Sequence, residues 1–312
     1  MELKLLDNSA IDKQEWDDFL FRSPQGAIYA LSDYLSVIHK DWQAFIIEDK
    51  GEWQAIMPWC VKNIFGVKSS FQPALCQFQG AFIRATSYTG YKQIDFERKI
   101  GELFASAIVE NCHKFECNFS PSVQYVLPYY WKGLELLPRF TYFLPLPAGI
   151  DGYSKNHQRA LQKAIKGNFK LEISTSAAEM IALFKQNKGA EIKLLNDRHY
   201  ANMERLVDTF KTRNMAHVLS CRDSNGQLVA ALIGYSYKGV FTYYLGTITD
   251  RGKKEQAMVW LITEAIKYAE HLGCTEFDFE GSMIAPIEKF FRGFGAQFKP
   301  YYTVKKKLSF SK

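Results

Sequence analysis

The chain has 312 residues, 47% hydrophobic and 15% aromatic, with 39 Lys and Arg against 33 Asp and Glu for a formal net charge of +6. That length suits one large domain or two of ordinary size, and the composition excludes a disordered or low-complexity protein. The charge excess is modest and spread over both halves, which suits an anionic, phosphate-bearing ligand without demanding nucleic acid.

The first residues, MELKLLDNSAIDKQEW, lack the apolar core of a secretory signal. No apolar run approaches the ~18–20 residues needed to span a bilayer, so a cytoplasmic protein with no transmembrane segment is expected. Six cysteines, at 60, 76, 112, 117, 221 and 274, are scattered among mostly apolar or aromatic neighbours. The pair in CHKFEC (112–117) has no second Cys or His pair at a useful spacing, so reduced thiols and no metal are expected.

CQFQGAFI (76–83) reads as a strand ending near a glycine. Gln77 and Gln79 alternate with Cys76 and Phe78, so they share a face beside Gly80 and are candidates for holding a polar substrate. A solvated edge is the alternative. After the loop RATSYTGYKQ come the amphipathic helix DFERKIGELFASAIVENCHK and the strand FECNFS. The second half repeats this order: strand VFTYYLGTI (240–248), loop TDRGKKEQ, helix AMVWLITEAIKYAEHLG and strand TEFDFEGS. YYWKGLELLPRFTY (129–142) then parallels FFRGFGAQFKPYYT (290–303). Strand–helix–strand units repeated after about 150 residues predict two α/β domains. The proline-rich LPLPAG (144–149) would join them, giving domains 1–148 and 149–312.

Directly after the join, YSKNHQRALQKAIKGNFKLEI predicts a helix over 154–166, with Ser154 as N-cap and Gly167 just past its end. Lys155, Arg159 and Lys163 recur every four residues and Lys166 follows three later, forming one basic stripe opposite Ala160, Leu161, Ala164 and Ile165. Like charges at that spacing destabilise the helix slightly and return nothing unless an anion lies nearby. The stripe is either a solvated face or a site for phosphate or carboxylate.

In FDFEGSMIAPIEKFFRGFG (277–295), Asp278 and Glu280 are two apart, which on a strand places them on one face with Glu276. Three crowded acids must meet solvent or a polar cleft, and like-charge crowding raises a carboxyl pKa toward that of a general base. The first copy carries Asn118 and Ser120 at the corresponding places, so any chemistry is expected in the second half. No Ser or Cys partners the histidines at a triad spacing, and there is no phosphate-binding G-x-x-x-x-G-K-[ST] or G-x-G-x-x-G element.

Together these stretches resemble the FemAB-like peptidyltransferases and related bacterial proteins, which carry tandem domains of the GNAT acyltransferase fold. The resemblance rests on W16-x-x-F19-x-x-x-S23-x-x-G26-x-I28-Y29, P73-x-x-x-Q77-x-x-G80-x-F82, the basic helix at 154–166 and DFEGS…IEKFFRGFGA…PYY. No single motif is diagnostic, but their order is, and it covers nearly the whole chain. It implies an α/β fold of mixed, mostly antiparallel sheets flanked by helices and present twice. It also implies acyl transfer from acyl-CoA or aminoacyl-tRNA. GNAT enzymes seat the donor pyrophosphate at a helix start, after a Q/R-x-x-G-x-G/A loop. The corresponding RATSYTGYKQ and TDRGKKEQAM lack that pattern, the second offering only Arg251, Gly252, Lys253 and Lys254.

The expected activity is N-acyl transfer from an acyl-thioester to a small-molecule or peptide amine. The alternatives are aminoacyl transfer from charged tRNA to a cell-envelope precursor, and a non-catalytic binding protein on the same fold. Asp278 and Glu280 are the candidate proton acceptors, with a phenol from Tyr243 or Tyr244, only one of which faces the cleft on a regular strand. Ser282 lines the ligand or only caps the helix that follows. The acids could instead merely pair with Lys289 or Arg292.

Overall fold

A computed structural model describes residues 1–174, 176–188 and 195–308. Two compact units divide the chain: Met1–Arg139 together with the segment from Pro300 onward, and Phe140–Lys299. These bounds differ from the expected 1–148 and 149–312.

The first unit contains β1 (Glu2–Asp7), α1 (Lys13–Arg22), α2 (Ser32–Ile38), β2 (Gln43–Asp49), β3 (Glu52–Trp59), β4 (Val61–Ile64), β5 (Val67–Phe71), β6 (Phe82–Ile83), α3 (Tyr91–Asn111), β7 (Lys114–Asn118), α4 (Leu127–Trp131) and the start of β8 (Glu135–Pro145). Asp12 caps α1 by accepting from the Glu15 amide at 2.9 Å. The aromatic motif of this region is packing: Trp16 is fully buried and donates from Nε1 to the Ala30 carbonyl at 2.8 Å. Strands β1, β2, β3 and β6 form one sheet in that order. The buried face of α3 (Phe96, Ile100, Phe104, Ile108) packs with Phe45, Met57 and Trp59. Gly101 lets α4 approach, since a Cβ there would lie 2.9 Å from Pro128.

Residues 76–83 are not the continuous strand their alternation suggests. The chain turns at Leu75 (φ 74°) and Gly80 (φ 91°), and Gln79 makes one isolated parallel bridge to Phe119 before β6 begins. Gln79 is buried and Gln77 half-buried, so the two amides do not line one regular face.

The second unit begins with the end of β8, followed by α5 (Lys155–Ile165), β9 (Lys170–Ser174), α6 (Ala178–Lys188), α7 (Asp197–Lys211), β10 (Ala216–Arg222), β11 (Leu228–Tyr237), β12 (Val240–Ile248), α8 (Asp250–Glu255), α9 (Ala257–His271), β13 (Glu276–Asp278), α10 (Ala285–Arg292) and the start of β14 (Gln297–Lys306). Its strands lie in the order β8-β13-β12-β11-β10-β9. β12 and β13 are parallel, and the other pairs antiparallel. The apolar side of α9 (Ile262, Ala265, Ile266, Ala269) joins a core with Leu232, Phe241, Phe277 and Phe279.

The repeat read in the sequence is visible as one order of elements. A long helix (α3 or α9) leads to a strand (β7 or β13), a short helix with proline in its first turn (Pro128 or Pro286) and a long strand (β8 or β14). Each long strand begins in one unit and ends in the other. The end of β8 pairs antiparallel with β13, and the end of β14 pairs antiparallel with β7. The compact boundary therefore falls inside strands at 139/140 and 299/300, not at the proline-rich stretch.

Gly80 has a left-handed φ, and a Cβ there would lie 2.3 Å from the Phe119 ring. Gly80→Ala should therefore lose about 2 kcal/mol or more of stability through backbone strain and overpacking. A lower denaturant midpoint checks this.

Candidate functional site

In the second unit β12 and β13 pair over only three positions: Val240 with Glu276, Phe241 with Phe277 and Thr242 with Asp278. Beyond Thr242, β12 continues beside β11, while β13 ends. The first residue without a β13 partner is Tyr243. A shift in register between Ile233 and Gly234 leaves Tyr244 as an extra residue on β12. Tyr243 lies over Gly246, where any Cβ would collide with its hydroxyl, and its ring packs edge-on against Phe291 at 5.7 Å. Burial pushes the Tyr243 phenol up, so it stays protonated at neutral pH. Tyr244 packs against Tyr235 at 5.1 Å. Both tyrosines are half-buried.

Asp278, the last residue of β13, is only 4% exposed. Its Oδ1 accepts from Thr141 Oγ1 at 2.9 Å and from the Glu280 amide at 2.8 Å. Burial raises its pKa to about 7. The two hydrogen bonds and the charge of Lys299 pull it down, and the Glu276 carboxylate adds a smaller push upward. The raised value was expected from like-charge crowding, but desolvation is the main cause. Glu276 itself is compensated by Lys299 at 2.6 Å, whose ammonium also lies 3.9 Å from the Phe143 ring centroid.

Glu280 is not on the strand face with the other two acids. It follows the strand in a left-handed conformation (φ 57°), with Gly281 also at positive φ (63°). A Cβ on Gly281 would lie 2.5 Å from the Phe140 carbonyl oxygen and Thr141 Cα, so the turn is pressed onto β8. Burial pushes the Glu280 carboxyl well above its ordinary range. Among the described residues Asp278 forms no ion pair with Lys289 or Arg292, and Arg292 pairs with Glu288 at 2.7 Å. Ser282 Oγ accepts from the Ile284 amide at 3.0 Å, bracing the turn before α10 rather than capping the helix from its N-cap position.

The other sequence candidates belong to other elements. Gln77, Gln79 and Gly80 belong to the first unit. The α5 helix forms as expected, with Ser154 accepting from the His157 amide, but its buried side is His157, Leu161 and Ala164, while Ile165 is half exposed. Lys155, Arg159, Lys163 and Lys166 line an open depression with Gln158 and Gln162. None of the four forms an ion pair among the described residues. The loop after β12 is instead the short helix α8, and two of its three cations are already engaged. Arg251 pairs with the buried Asp223 and with Glu255, and Lys253 pairs with Asp250 at 2.7 Å. Lys254 is exposed. Thr141 was missed as a site residue; the threonine in RFTYF was its only trace in the sequence.

Residues 153–289 match the family model of the acetyltransferase (GNAT) domain. In three dimensions the chain is similar to FemX, at 13% identity over 97% of each chain and a TM-score of 0.72. It is similar also to L-PGS from Bacillus licheniformis, at 12% identity over 95% of this chain and 92% of that one, with a TM-score of 0.55. A third similar structure is a tandem GNAT protein from the clavulanic acid biosynthesis pathway, at 10% identity over 100% of both chains and a TM-score of 0.58. No curated protein matches the chain in sequence. The stretch that matches the GNAT domain lies within the second unit. The chain as a whole shares the fold of these structures, the third of which is a tandem GNAT protein.

Because folding raises the Asp278 pKa from an ordinary 3.8 to about 7, the folded state binds the extra proton between those values. Its contribution to stability is fully present below about pH 4 and is lost as pH rises to about 7. Asp278→Asn keeps an acceptor at Oδ1 for both hydrogen bonds and removes the charge. The variant should show a flatter stability profile from pH 4 to 7 and exceed the parent above pH 7 by a few kcal/mol, at ~1.4 kcal/mol per pKa unit. Thermal denaturation across that range measures both.

Proposed function

We propose that the chain is an N-acyltransferase that moves an acyl group from an acyl-thioester donor of the acyl-CoA type to an amine, with Asp278 accepting the amine proton. The observation that carries this reading is the buried Asp278 carboxyl with a pKa near 7, at the point where β12 and β13 part company. A general base works best when its pKa lies near the operating pH, because it is then both deprotonated and basic. Oδ1 already takes two donors, so the second oxygen is the one that receives the proton.

The amine nitrogen attacks the thioester carbonyl carbon and the new C–N bond forms as the C–S bond breaks. The amine proton passes to Asp278, and the departing thiolate is protonated by a phenol on β12, either Tyr243 or Tyr244. The high Tyr243 pKa suits a group that must arrive protonated. Glu280, half-buried and held beside Asp278 in the turn, is the second carboxyl of the site. Gln77, Gln79 and Gly80 in the first unit, and Ser282 and Lys254 in the second, remain proposed ligand contacts.

Aminoacyl transfer from charged tRNA to a cell-envelope precursor is the second reading. It is favoured by the four cations on and just after α5, which form no ion pair among the described residues, and by the ion pairs that occupy Arg251 and Lys253 where a CoA pyrophosphate would need them.

Asp278→Asn should lower kcat by about 10²–10⁴-fold with the fold intact, and kcat/KM of the parent should rise with pH through about 7 as the carboxyl ionises. Unchanged turnover in the Asn variant would remove Asp278 from the chemistry. The donors separate in binding experiments. Coenzyme A at saturating concentration should raise the melting temperature if the first reading holds. If tRNA is the donor, its binding should weaken steeply with salt, and the combined Arg159→Gln, Lys163→Gln variant should reduce that slope by about 2, one unit for each phosphate no longer neutralised.

A further inference from the structure

The β4–β5 hairpin carries a feature that acyl transfer does not use. Ile64 pairs with Val67, so the loop is only Phe65 and Gly66, with φ of 50° and 81°. Two positive φ values in a two-residue hairpin loop define a type I′ turn, whose first position favours Asn, Asp or Gly. A phenylalanine there opposes the local backbone preference, and it gains nothing from packing, because Phe65 is fully exposed and Ile64 is 60% exposed. Beneath this apolar tip are three lysines. Lys62 is on β4 with its ammonium 4.7 Å from the Phe71 ring centroid, Lys68 is on β5, and Lys114 lies across from Ser69 on β7. None of the three forms an ion pair among the described residues. Residues 53–94, which include the whole hairpin, contain no Asp or Glu.

We propose that the β4–β5 hairpin docks the protein on an anionic lipid surface, with Phe65 and Ile64 entering the boundary between headgroups and acyl chains and Lys62, Lys68 and Lys114 meeting lipid phosphates. An aromatic tip above a collar of cations matches the polarity of that boundary, where apolar burial and attraction to anionic headgroups act together. A protein partner is disfavoured by size, because two apolar side chains on a narrow hairpin fall far short of the ~1,200 Å² buried in a stable interface. A second copy pairing along the β4 edge is disfavoured by Lys62 in the middle of that strand. Among the described residues no helix is long and apolar enough to cross a membrane, so the contact is peripheral.

The test uses the full chain and co-sedimentation with vesicles of phosphatidylglycerol and phosphatidylcholine, against vesicles of phosphatidylcholine alone. Phe65→Asn places Asn-Gly in the turn, so its melting temperature should equal or exceed that of the parent while vesicle affinity falls at least tenfold. Lys62→Gln with Lys68→Gln should weaken binding by roughly fivefold per lysine. About 0.5 M salt should weaken the parent's binding by screening. The proposal is overturned if the parent does not bind anionic vesicles, if it binds neutral vesicles equally well, or if Phe65→Asn binds as tightly as the parent. A change confined to self-association in Phe65→Asn would identify a second copy as the occupant and overturn it equally.

Discussion

A hydroxyl on a crossing strand meets the polar residue at the end of a β-strand in each unit, and the rest of the arrangement is built around that contact. Thr141, on β8, donates to Asp278, and Thr303, on β14, donates to Asn118 at 2.6 Å. Both threonines lie on long strands that start in one unit and finish in the other. Without these strands β7 and β13 would each lose an antiparallel neighbour and leave backbone groups unpaired, at a desolvation cost neither three- nor five-residue strand could offset alone. The crossing strands are therefore part of each unit's interior rather than linkers.

The two contacts are chemically unequal. Asn118 is neutral and well supplied with partners: the side chain accepts from Thr303 and donates to the Gln77 carbonyl, while its backbone N–H donates to Gln72 Oε1. Asp278 occupies the same place with a carboxylate that burial opposes. An amide at position 278 would meet the same two donors without that penalty, so the acid is a feature the packing does not require. In the proposed acyl transfer that acid is the group that takes the amine proton at neutral pH.

Much of this order was legible in the residues alone. The strand at 240–248, the helix beginning at Ala257, the basic helix capped by Ser154 and the repeated strand–helix–strand unit follow from periodicity and capping, which are local properties. What the sequence obscured was non-local. Alternation at 76–83 suggests a strand, but the close approach of Phe119 forces a turn at Gly80 that no local pattern encodes. Alternation from Glu276 to Glu280 suggests three acids on one face, but Gly281 pressed on Phe140 turns the chain before Glu280 can continue the strand. The origin of the Asp278 shift was hidden for the same reason: crowding by neighbouring acids is visible in a sequence, whereas burial beneath distant strands is not. The proline-rich stretch looks like a boundary because prolines break regular structure locally, whereas the two compact units divide within strands.

The crossing of β14 also bears on how the chain is made. Synthesis runs from the amino terminus, so β7 emerges long before residues 300–306 exist to pair with it. In the interval the Lys114–Asn118 edge has no antiparallel neighbour, and the side of Phe115 and Cys117 that Val304 helps to cover lacks that cover. An unpaired strand edge of this kind is where nascent chains associate wrongly. The first unit is thus obliged to wait, incomplete, until nearly all of the second has left the ribosome. Its polar strand end, an uncharged asparagine, is well suited to that wait because it needs no counter-charge in the meantime.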